Sequence, residues 1–143
     1  MTALLPTALK IAIVEDSAII VDRLIVLLQD IAGVEFIGTA ATLPAAVALL
    51  ETTLPDALIL DINLRTPDGR NGIDLLAMIR NVYPLMKIMM LTNLADLRYR
   101  ALCQESGADY FFDKSHDFDK ITETLHHIID ARNRQRMQYS IIE

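Results

Sequence analysis

Five polar residues close short apolar runs in this chain: Glu15 and Asp16 after KIAIV, Asp61 after ALIL, Thr92 after KIMML, and Lys114 after DYFFD. Three carboxylates, a hydroxyl and an ammonium have a definite chemistry if the fold gathers those run ends at one edge. Carboxylates within a few ångströms repel one another, and one of them then holds its proton more tightly than usual. A divalent cation removes that conflict. Hard oxygen donors favour Mg²⁺, which keeps several waters and takes few carboxylates. Metal on one side, with ammonium and hydroxyl on the other, suits a phosphoryl group. Asp61 ends the third of five runs, near the middle of the cluster, and is the natural nucleophile for a covalent acyl phosphate. Each acid taken alone reads as a solvated turn residue; five compatible groups at the ends of four runs do not.

The elements that must position these groups alternate. The runs Lys10–Glu15, Val34–Ala40, Ala57–Asp61, Lys87–Thr92 and Asp109–Asp113 read as buried strands, because they are continuously apolar rather than alternating. Between them the apolar period lengthens. Ile20, Leu24, Leu27, Leu28 and Ile31 form a helical stripe, with Ser17 as its cap and Gly33 past its end. Pro44 suits the first turn of a second helix to about Thr52, with Val47, Leu50 and Leu54 near its inner face. Further helices are expected over Ile73 to Tyr83, from about Ala95 to Glu105, and from Phe118 past Arg132. Pro67, Asp68 and Gly69 mark a turn between Asn63 and Asn71. Five strands alternating with five helices predict an α/β doubly wound parallel sheet with right-handed crossovers. In such a sheet the strand ends share one edge, and ligands bind in the crevice outside them.

Composition narrows the class. The 143 residues make one domain, and 52% hydrophobic against 22% charged residues leave ample core and little material for disorder. A net charge of −6 argues against a general nucleic-acid binder. The single Cys103 excludes an intramolecular disulfide. No apolar run approaches a membrane span, and Met1 to Leu9 lacks the pattern of a signal peptide, so a cytoplasmic protein without membrane contact is expected.

Residues 9–131 resemble the receiver domain of two-component response regulators, in its stand-alone form. The pieces that carry the resemblance are IAIVEDS (Ile11 to Ser17), LILDINL (Leu58 to Leu64), IMMLTN (Ile88 to Asn93) and GADYFFDKS (Gly107 to Ser115). Each is short, but their order and separations are specific together. The resemblance implies a flavodoxin-like (βα)5 sheet in strand order 2-1-3-4-5. It implies Asp61 as phospho-acceptor, and Mg²⁺ held by Asp16 directly, Glu15 through water, Asp61 and the backbone carbonyl of Asn63. Thr92 and Lys114 would meet phosphoryl oxygens, and Phe111 would be the aromatic that turns inward when Thr92 moves. Implied partners are a histidine kinase or histidine phosphotransfer protein and a downstream protein, reached through helix 4, strand 5 and helix 5. A homodimer through that same surface is compatible with it. The protein would be no enzyme beyond its own phosphorylation and dephosphorylation, and no direct DNA binding is expected, because no helix-turn-helix follows.

Some positions depart from the family pattern. Arg65 stands where a proline is usual. The aligned glycine is Gly72, eleven residues after Asp61, so the intervening loop is about three residues longer than usual. Asn93 replaces a small residue beside Thr92 and bears on access to the site. Other residues have plainer readings: Cys103 and the methionines at 86, 89 and 90 as core, adjacent His126 and His127 as poor joint ligands, and Arg132, Arg134 and Arg136 as a solvated helix end. Residues 132–143 read as a helix end or tail. Two rival functions use similar sheets. An aspartyl-phosphate phosphatase or phosphotransferase would want a second acid where Asn63 stands. A flavodoxin-like cofactor binder would not place Glu15 and Asp16 in its phosphate loop. A degenerate receiver serving only as a docking module is the remaining alternative.

Overall fold

The computed structural model describes residues 7–64, 69–93 and 97–142. Its elements in chain order are β1 (Leu9–Val14), α1 (Ala18–Gln29), β2 (Val34–Ala40), α2 (Leu43–Thr53), β3 (Ala57–Asp61), α3 (Gly72–Val82), β4 (Lys87–Thr92), α4 (Leu97–Glu105), β5 (Tyr110–Asp113) and α5 (Phe118–Ile142). All strand pairs are parallel, in the order β2-β1-β3-β4-β5. The chain steps outward from β1 to β2, then returns to the other side of β1 for β3. The crevice at that reversal lies between the C-terminal ends of β1 and β3.

Alternate residues of each strand supply two cores, one on each face of the sheet. Ala12, Val14, Leu58, Leu60, Ile88 and Met90 pack under α2, α3 and α4, with Leu50, Leu76 and Cys103 from those helices. Ile11, Ile13, Ile59, Met89 and Leu91 pack under α1 and α5, with Leu24, Leu28, Ile121 and Leu125. Cys103 is fully buried, which pushes its thiol up to about 11 and leaves it a core residue. Met86, Met89 and Met90 are buried as expected, whereas His126 and His127 are both exposed.

Local chemistry explains the element ends. Ser17 caps α1 by accepting the Ile20 N–H, and Asn71 and Asp74 form a reciprocal capping box on α3. The expected inward place of Leu54 is not found. Leu54 ends α2 in a left-handed conformation, φ 47°, with its N–H on the Leu50 carbonyl and its side chain 61% exposed. The helix must stop there because Pro55 follows. β1 begins at buried Leu9, one residue before the expected start, and β2 is an edge strand only half covered. Asp109 precedes β5 instead of opening it. α5 continues unbroken to Ile142, and Arg132, near its middle, ties the helix to the carbonyl of Thr7 at 3.0 Å and to Asp56 at 3.5 Å. Arg65, Pro67, Asp68 and Ala95 lie outside the described residues, as do any roles assigned to them.

At the N-terminal edge of the sheet one side chain joins three segments. The Arg80 guanidinium donates from Nε and Nη2 to the Gly107 carbonyl (2.9 and 2.7 Å) and from Nη1 to the carbonyls of Pro84 and Met86 (2.9 and 2.8 Å). Its Nη2 also meets Asp109 Oδ2 at 2.7 Å, and that carboxylate accepts the Ile88 N–H as well. Gly107, at φ +106°, leaves room for the arginine stem, which a β-carbon would strike.

Candidate functional site

The C-terminal edge brings together most of the polar residues singled out by the strand ends. Glu15 lies just past β1 and keeps the sheet ladder going one step through its N–H to the Ala40 carbonyl at 3.0 Å. Asp16 follows and is exposed at the rim. Asp61 closes β3 and is only 1% exposed. Oxygen atoms of Glu15, Asp16 and Asp61 all lie within 4.8 Å of one another. Thr92 closes β4, fully buried and in register with Asp113 of β5. Lys114 follows β5, its N–H on the Thr92 carbonyl at 2.9 Å.

Backbone geometry holds the Asp61 carboxylate. The Asn63 N–H donates to Asp61 Oδ1 at 3.1 Å, and the Gly72 N–H donates to the Ile62 carbonyl at 2.9 Å. Gly72 starts α3 directly against the end of β3: a β-carbon there would overlap the Asp61 carbonyl oxygen. The long connection between β3 and α3 thus returns to a glycine that lets the helix touch the strand carrying Asp61. Asn63 itself is exposed, with its backbone one turn beyond the carboxylate.

Charge in the pocket is unbalanced. Lys114 Nζ sits 2.9 Å from Glu15 Oε1 and 3.3 Å from Asp61 Oδ2, and all three side chains are nearly inaccessible. The ammonium lies against both carboxylates, and its shorter contact is with Glu15. Glu15 Oε1 also accepts the Ser17 N–H at 3.2 Å, while buried Oε2 has no hydrogen-bond partner among the described residues. Burial pushes the Glu15 carboxyl up to about 7; Lys114 opposes the rise and neighbouring Asp61 adds to it. One ammonium among three carboxylates, with an orphaned buried oxygen, fits a divalent cation with hard oxygen donors. Glu15, Asp16 and Asp61 are the residues that could hold it.

The aromatic residues of β5 divide. Phe112 is buried under α5, with 6% exposure, whereas Phe111 is half-buried on the α4 side. Arg100 of α4 covers the Phe111 ring, its Cζ 4.9 Å from the centroid. Asn93 is exposed beyond Thr92. Sequence spacing missed two residues that shape this edge, Arg100 and Ser17. Ser17 was visible as a cap, but its N–H contact with Glu15 was not.

The chain matches the family described as response regulator receiver domain over residues 11–126. Among solved structures it is similar to a CheY-like response regulator receiver domain protein from Methanospirillum hungatei, at 25% identity and TM-score 0.77, covering 90% of this chain and 99% of that one. It is also similar to a LuxR-family two-component response regulator from Aurantimonas, at 22% identity and TM-score 0.78, covering 96% and 100%. A third similar fold is the response regulator domain of CheB from Thermotoga maritima, at 24% identity and TM-score 0.71, covering 92% and 97%. No curated protein sequence matches.

Proposed function

Because the chain belongs to the response regulator receiver domain family, we propose that it accepts a phosphoryl group on Asp61 from a histidine kinase or histidine phosphotransfer protein. The observation that carries this reading is the pairing of a buried Asp61 with Lys114 inside an acidic cluster at the β1–β3 crevice. One carboxylate oxygen of Asp61 attacks the phosphorus of a phosphohistidine in line. The P–N bond breaks, its electron pair stays on the imidazole nitrogen, and a solvent proton joins that nitrogen. The product is an acyl phosphate, a mixed anhydride that water later cleaves, so the protein turns over only its own modification.

Each neighbour has a task in that step. The Lys114 ammonium, already 3.3 Å from Asp61, pairs with a phosphoryl oxygen. The Thr92 hydroxyl donates to another. Glu15, Asp16 and Asp61, with the Asn63 carbonyl, would hold Mg²⁺, which would neutralise phosphoryl charge when bound. The Asn63 N–H keeps Asp61 Oδ1 in place while Oδ2 faces the ammonium. Phosphorylation then shifts a two-state equilibrium through Thr92 and Phe111 and changes the surface of α4, β5 and α5 for a downstream protein or a second copy. The described residues contain no helix long and apolar enough to cross a membrane.

Asn63 where a second acid would serve as acid–base disfavours a phosphatase acting on other substrates. The test is the intact mass after a small phosphoryl donor and Mg²⁺ are added. Native protein should gain one phosphoryl group, and Asp61→Asn should gain none. A native protein that stays unmodified under these conditions supports the docking-module alternative.

A further inference from the structure

The α4–β5 seam carries a contact that the phosphoryl chemistry does not use. Arg100 projects from α4 and lays its guanidinium over the half-buried ring of Phe111 at 4.9 Å. A cavity of about 230 Å³ opens at the same seam, lined by Arg100, Cys103, Gln104, Ala108 and Phe111 among others. The charge of Arg100 also reaches the start of α5. Asp117, held below the usual carboxylate range first by the Asp113 N–H, gains further from Lys120 and from Arg100. A single cation therefore contacts the strand that bears Phe111 and attracts the turn that opens the next helix. Its own helix begins at Leu97, five residues after Thr92 in the sequence.

We infer that Arg100 is a positioning residue that holds Phe111 at the α4 surface and so sets how readily phosphorylation of Asp61 changes that surface. The inference rests on the proposed phosphoryl-accepting function. A guanidinium over an aromatic face stabilises the arrangement that contains it. Only a ligand that favours the other arrangement can shift the balance, and it must first overcome this contact. Loss of the cation therefore makes the response easier. Long-range electrostatics has the opposite sign, because removing a positive charge weakens attraction for an anion. The direction of the change separates the two.

The test uses beryllium trifluoride with Mg²⁺ as the phosphoryl mimic and follows binding by calorimetry and amide chemical shifts of β5. Arg100→Gln should bind the mimic about two- to five-fold more tightly than the native protein, the range a partly exposed cation–π contact corresponds to. Arg100→Lys, which keeps a cation, should stay closer to native. Phe111→Leu should tighten binding similarly, and adding Arg100→Gln to it should bring no further gain, since both remove one contact. Unchanged or weaker binding by Arg100→Gln overturns the role of Arg100, as does full additivity with Phe111→Leu. A native protein that does not respond to the mimic overturns the function on which the inference rests, and the inference with it.

Discussion

The two edges of this sheet each contain a polar cluster, part-exposed around Arg80 at one end and largely buried around Lys114 at the other, built on opposite terms. At the N-terminal edge Arg80 spreads its donors over three carbonyls and the Asp109 carboxylate, and Asp109 accepts a backbone N–H in turn. Donors and acceptors there match. At the C-terminal edge one lysine contacts two of three clustered carboxylates, and Glu15 Oε2 is buried without a partner among the described residues. The first cluster holds the α3–β4 and α4–β5 connections together. The second keeps uncompensated charge in place, which only a cation or a chemical change can relieve. The contrast teaches that balanced and unbalanced polar chemistry sit at opposite ends of the same sheet.

The largest effect should come from breaking the matched edge. Arg80→Ala leaves the carbonyls of Met86 and Gly107 and the Asp109 carboxylate without their donor, at a cost of about 2–4 kcal/mol. Arg80→Lys should recover little of it, because an ammonium cannot fork toward carbonyls on three segments. Urea unfolding of both variants measures the loss. Equal stability of Arg80→Ala and native protein would erase the distinction between the edges.

Relief of the unmatched edge should rank next. Mg²⁺ at a hundredfold excess over its Kd should stabilise the native fold by about 2.7 kcal/mol. Asp16→Asn should remove most of that gain, since it takes a carboxylate from the rim. Melting with and without Mg²⁺ checks both, and a native melting temperature indifferent to the ion would contradict the site.

A smaller effect sharpens the contrast by pH. The Glu15 carboxyl rises from 4.5 to about 7 on folding, chiefly through burial. The folded state then binds the proton more tightly than the unfolded state. Metal-free stability from this group is therefore full below about 4.5 and lost as pH rises through about 7. Glu15→Gln should flatten the dependence across that window, while Arg80 variants should keep it. The midpoint of urea unfolding followed across pH, without divalent ions, reads the slope. A slope identical in native and Glu15→Gln protein would show that Glu15 is not its source.

The C-terminal edge was far more legible in sequence than the N-terminal one. Apolar runs ending in Glu15, Asp16, Asp61, Thr92 and Lys114 announce themselves, because strand ends in a parallel sheet share an edge by topology. The order β2-β1-β3-β4-β5 followed from the family resemblance and is the order found. Arg80 gave no signal, since most of its partners are backbone carbonyls, which every residue has. The preference of Lys114 for Glu15 over Asp61 was hidden for a related reason: it depends on about half an ångström of placement, not on residue type. Leu54 misled because its hydrophobicity fits the helical stripe, while the following proline forces the chain to turn and exposes it.

The central claim is that the buried carboxylate of Asp61 is the group that takes the phosphoryl. An acyl phosphate, unlike a phosphoester or a carboxylate, is reduced by borohydride to an alcohol, which converts a phosphorylated aspartate to homoserine. Native protein treated with a small phosphoryl donor and Mg²⁺, then reduced and digested, should yield homoserine at position 61 and aspartate at positions 16 and 113. Homoserine at another acidic position, or none anywhere when intact protein has gained a phosphoryl group, would contradict the account.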